Sequence, residues 1–304
     1  MKWLLIVVGA LVLASLAVYL WPAPKKDFAA LGDRVDSAAR QSLLTFRAQY
    51  PPQWVQVDGE DWEYAVFGDG EKTILFLHGM MGAYDIWWQQ MEVLAPDYRV
   101  ISVTYPAVDT LEGMSKGVLA VLDAAGVTQT HVVGSSLGGY LAQYLVAAHP
   151  ERIEKAVFGN TFPPNDLYAE KNAKLINILP FLPSWLVMTT FRGNIETQVY
   201  PASGYSELVR AYLLEQTYGR MSKAQVAARA KAVIEPFTPA HPHELGISVM
   251  IIEADNDPLV PEVLREQLKA TYSAARVETL HDVGHFPYLN APDVYTERLR
   301  AFFQ

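Results

Sequence analysis

Three short stretches of the chain carry residues whose types and spacing suit nucleophilic acyl chemistry. The first is Gly134-Ser135-Ser136-Leu137-Gly138, followed by Gly139. It centres Ser136 in a G-x-S-x-G pattern, with the strand-like run His131–Val133 before it and the helix-like run Tyr140–Ala148 after it. A serine on a tight strand-to-helix turn is lifted above the sheet edge, and the helix N-terminus behind it favours developing negative charge. The same residues in another setting would simply pack a helix on a sheet. The pattern is common by chance, so its weight comes from the strand–turn–helix context.

The second stretch, Ile251–Pro261, runs from a strand into a turn rich in carboxylates. Asp257, in D-P-L-V-P just ahead of a helix, is the best placed to orient a histidine. Glu253 and Asp255 are the alternatives, and any of the three can also serve as a solvated turn residue. The third is Val283–Pro292, where His285 sits in a Gly-His-Phe-Pro turn. The glycine permits a sharp bend that holds an imidazole over a sheet edge; a capping or surface-loop histidine is the bland alternative. A further run, Leu75–Gly82, ends a buried strand in His78-Gly79. The backbone N–H of Met80 after that pair, and that of Leu137 after the serine, are the candidate oxyanion donors. His78 itself reads as structural rather than as a base. His131, His149, His241, His243 and His281 lack comparable surroundings. The His241-Pro242-His243 triplet has no second ligand group at zinc-like spacing and reads as surface.

These turns need a sheet to hold them. Ile74–Leu77, Val100–Val103, His131–Gly134, Lys155–Phe158 and Val249–Ile252 are apolar runs that read as buried strands, with Val277–Leu280 as a last piece. Gly113–Ala125, Leu137–Ala148, Pro261–Tyr272 and Pro292–Phe303 read as helices between or after them. Alternation of apolar strands with helices predicts an α/β fold, a mostly parallel sheet covered on both faces. Two shorter strands, Trp54–Val57 and Trp62–Phe67, flank an Asp58-Gly59 turn ahead of it. Between Phe162 and about Leu245 no buried strand is evident, and the stretch is too long for a loop in a compact domain. It predicts a helical cap in which Phe181, Leu182, Trp185, Leu186 and Met188 either pack onto the core, the preferred reading, or line an apolar acyl pocket. The expected organisation is residues 1–24 an N-terminal anchor, 25–52 a linker helix, 53–161 the first part of the core, 162–245 the cap and 246–304 the second part of the core.

The anchor is predicted from Trp3–Trp21, an uncharged apolar run about long enough to cross a hydrocarbon layer of roughly 30 Å. Pro22 and Pro24 end it. A cleaved signal peptide competes through the small residues Ser15 and Ala17, but the apolar run continues past them, and a buried core helix is the remaining alternative. Lys2 and the terminal amine stand against Lys25 and Lys26, so charge barely selects a side; the short tail favours an N-terminus inside and the remaining domain outside the cytoplasm. Lys and Arg number 24 against 33 Asp and Glu, for a net charge of −9 with no basic stripe, which argues against nucleic acid as a partner. There is no cysteine, which excludes thiol catalysis, disulfides and cysteine-based metal sites.

Taken together, residues from about Pro51 to Phe303 resemble the α/β-hydrolase superfamily, which uses the chain order Ser, acid, His found at Ser136, Asp257 and His285. Within it the chain is similar to the maspardin family, through Tyr98–Val108, Gly134–Gln143, Gly159–Asp166, Leu182–Met188 and Phe286–Leu289. That resemblance implies an interaction protein whose hydrolase machinery is incomplete, lacking the histidine of the Gly-His-Phe-Pro turn and altered in the acid turn. This chain departs from it by keeping Asp257 and His285, and by its N-terminal apolar segment. A likeness to carbon–carbon bond hydrolases is weaker, because those place tryptophan where Phe286 stands. The expectation is a membrane-anchored serine hydrolase acting, without a cofactor, on an ester, thioester or similar acyl bond of a small or lipid-like substrate. The alternatives are a binding or scaffold protein on the same fold, or an enzyme with another reaction, such as cofactor-free perhydrolysis or transfer of the acyl group to an acceptor other than water.

Overall fold

The computed structural model describes residues 2–304; Met1, at the head of the apolar segment, lies outside them. Eight strands form one sheet: β1 Gln53–Val57, β2 Glu60–Phe67, β3 Thr73–Leu77, β4 Arg99–Thr104, β5 Thr130–Ser135, β6 Ile153–Gly159, β7 Ser248–Ala254 and β8 Arg276–Leu280. Their order is β1-β2-β4-β3-β5-β6-β7-β8. β2 runs antiparallel to β1 and β4, and every other pairing is parallel. Asp58 and Gly59, both at positive φ, close the β1–β2 hairpin.

The uninterrupted apolar runs of the sequence become the strands buried on both faces, as in β3 and β5, where every residue is buried. Alternate side chains feed two cores. Ile74 and Phe76 point to one that holds Trp87, Trp88, Tyr288 and Tyr295; Leu75 and Leu77 point to the other, with Val118, Leu141 and Leu145.

Between Gly159 and Ser248 the described residues form helices and turns, the longer helices being Asp166–Ile178, Ser184–Asn194, Glu207–Glu215 and Lys223–Ala232. The apolar residues predicted to share one role here do not share it. Met188 is buried with Leu179, Val187, Met221 and Val226, and Leu182 packs against that cluster. Phe181, by contrast, is 77% exposed and Leu186 is also exposed. Trp185 is half-buried, and its indole N–H donates to the Val18 carbonyl at 2.7 Å.

The segment ahead of β1 is two helices rather than one. Asp27 caps Phe28–Leu31, which Gly32 ends; Asp36 then caps Ser37–Gln49 by accepting from the Ala38 and Ala39 N–H groups. Phe28, Leu43 and Phe46 are fully buried in the first core. A buried ion cluster fixes the segment further. Arg47 bonds Asp85 at 2.6 Å and Glu215 at 2.6 Å, Arg220 bonds Asp85 at 2.7 Å, and the Tyr212 hydroxyl donates to Asp85 at 2.6 Å. The Phe28 N–H donates to Glu215 at 2.8 Å. One cluster thus ties the leading helices, the loop after β3 and the inserted helices together.

Burial alone would raise the Asp85 pKa, but the Arg220 and Arg47 guanidiniums and the Tyr212 hydroxyl outweigh it and hold the carboxyl well below the usual range. Its contribution to stability is therefore complete above the ordinary carboxylate pKa of about 4 and is lost as pH falls below it. Asp85→Asn should cost about 3 kcal/mol at pH 7, because two arginines lose a buried partner. The gap between wild type and variant in denaturant unfolding should narrow below about pH 4.

Candidate active site

All the candidate residues leave strands at one edge of the sheet. β5, β6, β7 and β8 are successive parallel neighbours, so the loops carrying Ser136, Asn160, Asp257 and His285 emerge side by side at their carboxyl ends. β3 pairs with β5 on its other side, Leu77 opposite Gly134, which brings the Gly79–Gly82 loop against the serine turn.

Ser136 has φ 56° and ψ −121°, a strained left-handed backbone for a residue with a side chain. The turn is held on both sides. Its N–H donates to the Gly159 carbonyl at 2.9 Å, and its carbonyl accepts from the Thr161 hydroxyl at 2.8 Å. Ser136 keeps partial exposure while its neighbours are buried. The helix Leu137–Ala148 then crosses the end of β3 so closely that a Cβ on Gly138 would overlap the Leu77 carbonyl. A Cβ on Gly79 would stand 3.6 Å from Ser136 Oγ, which places the neighbouring loop directly beside the hydroxyl.

His285 and Asp257 are both buried, and the imidazole Nδ1 lies 2.9 and 2.8 Å from the two Asp257 oxygens. Asp257 also accepts from Asn160 Nδ2 at 2.8 Å and from the Leu259 and Val260 N–H groups at 2.8 and 3.1 Å. Burial pushes its pKa up, but the His285 charge and these donated hydrogen bonds prevail and hold it below the ordinary carboxylate value. The other two carboxylates point elsewhere. Asp255 bonds the exposed His281 at 2.6 Å, and Glu253 bonds Lys269 and Thr279 at 3.0 Å each. The histidine turn needs φ 68° at Gly284, whose N–H donates to Asn256 at 2.8 Å. Tyr288, three residues past His285, is fully buried with its ring stacked on Trp87. Ser136 Oγ and His285 make no hydrogen bond within 3.5 Å among the described residues.

The loop from Gly79 to Gly82 is held from two directions. Buried His78 places Nδ1 2.6 Å from the Gly79 carbonyl, while its Nε2 accepts from the Tyr105 N–H at 3.4 Å. This tautomer fits a neutral ring, and burial together with the Arg229 charge pushes the His78 pKa well down. Arg229, on the inserted helix Lys223–Ala232, donates to the Met80 carbonyl at 2.8 Å, the Gly82 carbonyl at 3.2 Å and the Tyr105 carbonyl at 2.8 Å. Since C=O and N–H point opposite ways across a trans peptide, pinning the Gly79 carbonyl to His78 turns the Met80 N–H away from it. Neither that N–H nor the one of Leu137 donates to a protein acceptor among the described residues. Arg229 is 1% exposed, and burial pulls its guanidinium down to about 10, still protonated at neutral pH. The sequence reading passed over both Arg229 and Asn160. An asparagine directly after an apolar strand is the one signal the sequence holds for Asn160; the structure places it at φ 41°, a left-handed position that asparagine tolerates. Arg229 had none, because its partners lie 124 to 149 residues away.

His241 and His243 lie far from this edge, beside a cavity of about 630 Å³ between the starts of β7 and β8. Its lining, which includes Ser248, Thr271, Arg276 and Phe302, shares no residue with the candidate site.

The close crossing at Gly138 is testable by itself. Gly138→Ala should lower stability by about 1–3 kcal/mol, because the helix must retreat from β3. Gly193→Ala, where a Cβ meets open space, should be neutral or slightly stabilising. Thermal unfolding of the two variants reads the difference.

Comparison with known proteins agrees with this fold. The chain is 26% identical to maspardin of Danio rerio over 256 residues, covering 80% of this chain and 79% of maspardin. Among solved structures it superimposes on the enol-lactonase of Burkholderia xenovorans LB400 with TM-score 0.69 at 17% identity, covering 83% of this chain and 99% of that one. It superimposes on a thermophilic esterase of Thermogutta terrifontis with TM-score 0.66 at 19% identity, covering 83% and 98%. The profile of the alpha/beta hydrolase family matches residues 74–298, from β3 into the final helix, and the chain belongs to that family.

Proposed function

We propose that the chain is a membrane-anchored serine hydrolase that cleaves an ester, thioester or similar acyl bond of a small or lipid-like substrate. The observation that carries the reading is the Asn160–Asp257–His285 hydrogen-bond chain on the same sheet edge as the strained Ser136 turn. A merely structural histidine does not call for a buried, ionised carboxylate that is itself held by three further donors.

In this reading Ser136 Oγ attacks the acyl carbon and gives its proton to His285 Nε2. Asp257 holds the proton on Nδ1, which leaves Nε2 free as the base, and stabilises the imidazolium that forms. The Oγ–Nε2 hydrogen bond tightens with substrate in place. The Met80 and Leu137 N–H groups receive the oxyanion, the latter at the amino end of a helix. His285 then protonates the leaving group, and water releases the acyl group by the same steps in reverse. Asn160 fixes Asp257, and Arg229, through the Met80 and Gly82 carbonyls, fixes the loop that carries the Met80 N–H. The helices between β6 and β7 act as the cap over this edge.

The anchor part of the proposal rests on the helix Lys2–Tyr19, which is exposed along its length and is long and apolar enough to cross a membrane. The ester and lactone chemistry named for the superimposed structures supports an acyl substrate. The maspardin match supports the other reading, a binding protein on the same fold.

Turnover of p-nitrophenyl esters of increasing chain length decides between them. Ser136→Ala should lose it entirely, and Asp257→Asn should retain a rate roughly 10⁴-fold lower. Retained turnover in Ser136→Ala would remove the nucleophile assignment, and a folded wild type inert to every ester would favour the binding protein. Arg229→Met should lower kcat about 10- to 100-fold with little change in KM, since it misplaces an oxyanion donor rather than a binding group. Arg229→Lys should recover part of the loss.

A further inference from the structure

The helix Asp166–Ile178 carries a face that the other described residues leave uncovered. Leu167, Lys171, Lys174, Leu175 and Ile178 follow the spacing of one stripe on a 3.6-residue helix, and all five are exposed. Leu167 keeps 77% of its surface in solvent, Leu175 62% and Ile178 54%. Asp166 and Glu170 fall to one side of the stripe. Phe181, in the turn that follows, and Leu186, in the next helix, are exposed as well.

The neighbouring contacts identify its occupant. The carboxyl end of the apolar Lys2–Tyr19 helix is pinned to the same inserted helices. Trp185 Nε1 donates to the Val18 carbonyl at 2.7 Å, the Lys223 ammonium lies 5.7 Å from the centre of the Tyr19 ring, and the Lys26 N–H donates to the Tyr218 carbonyl at 3.2 Å. Phe181 is four residues from Trp185 and Ile178 is seven. At most about 3.6 Å of chain per residue keeps them within about 15 and 25 Å of the Trp185 backbone, whose side chain touches the end of the apolar helix. A span that ends there sets the bilayer surface at the level of Trp185. Tryptophan and tyrosine favour that level, and Lys25, Lys26, Lys171 and Lys174 supply ammonium groups for lipid phosphates.

We propose that Leu167, Leu175, Ile178, Phe181 and Leu186 insert into the surface of an anionic phospholipid bilayer beside the span, so that the inserted helices rest on lipid. This rests on the anchor part of the proposed function and not on its chemistry. It gives a lipid-like substrate a route from the bilayer to the helices that cover the Ser136 edge.

The chain has no cysteine, so single labels can be placed at will. The full chain carrying Phe181→Cys, and separately Thr128→Cys in the exposed loop before β5, is labelled with a polarity-sensitive fluorophore. Each is reconstituted in vesicles of phosphatidylcholine and phosphatidylglycerol. The label at 181 should emit to the blue and be quenched by lipids spin-labelled near the headgroup, and the label at 128 should do neither. Water-like emission at 181 in vesicle-bound protein would overturn the docking, as would failure of the full chain to float with the vesicles. A second measurement uses Leu175→Glu, Ile178→Glu and Phe181→Glu combined. Hydrolysis of a soluble short-chain ester should stay within about twofold of wild type, while hydrolysis of a long-chain ester dissolved in the vesicles should fall tenfold or more. An equal fall on both substrates would contradict a role at the bilayer. If wild type hydrolyses neither, the catalytic reading fails alone, and emission at 181 still decides the docking.

Discussion

A parallel strand always ends on the same edge as its parallel neighbours, and this constraint arranges everything else in the molecule. β3, β5, β6, β7 and β8 lie side by side in that sense. Five loops that are remote in sequence are therefore delivered to one line of the sheet. The loop after β3 supplies the Met80 peptide, that after β5 Ser136, that after β6 Asn160, that after β7 Asp257 and that after β8 His285. An antiparallel register anywhere in this set would send one of them to the far edge. β1 and β2 are antiparallel and supply none of these groups.

The sheet delivers backbone; rigidity comes from buried polar contacts around it. Asp257 accepts from four groups on three loops, so its position is over-determined. The loop after β3 is treated likewise. His78 holds it from below, Arg229 reaches it from the inserted helices, and Asp85 a few residues on joins the Arg47–Glu215–Arg220 cluster. That cluster also fastens the helices that lead out of the apolar N-terminal segment. The inserted helices, the leading helices and the candidate oxyanion loop are thus one mechanical unit.

The legibility of each part in the sequence follows from how local its cause is. The parallel strands showed as apolar runs because burial on both faces removes alternation, and the run Ile74–Leu77 became Thr73–Leu77 in the structure. Ser136, Asp257 and His285 stood out as candidates because each lies in a turn marked by glycine or proline within a few residues. Asn160, Arg229 and the Asp85 cluster did not stand out. Their significance comes from partners far away in the chain, and an isolated buried arginine looks in sequence like any arginine on a helix. The single linker helix expected over residues 25–52 is instead two short helices, broken at Gly32–Asp36 and individually capped by aspartates, which share the burial between them. In the inserted helices the sequence showed apolar residues but not which of them face the core, and so Phe181 and Met188 received one expectation and have opposite surroundings.

The central claim is that the arrangement makes Ser136 an activated nucleophile, and a fluorophosphonate probe measures that property without knowledge of the substrate. Detergent-solubilised full-length protein is labelled, digested and the modified peptide identified, with His285→Ala in parallel. The account predicts rapid labelling at Ser136 in the wild type and loss of that labelling in His285→Ala. A folded wild type that remains unlabelled, or labelling that persists undiminished without His285, would contradict it.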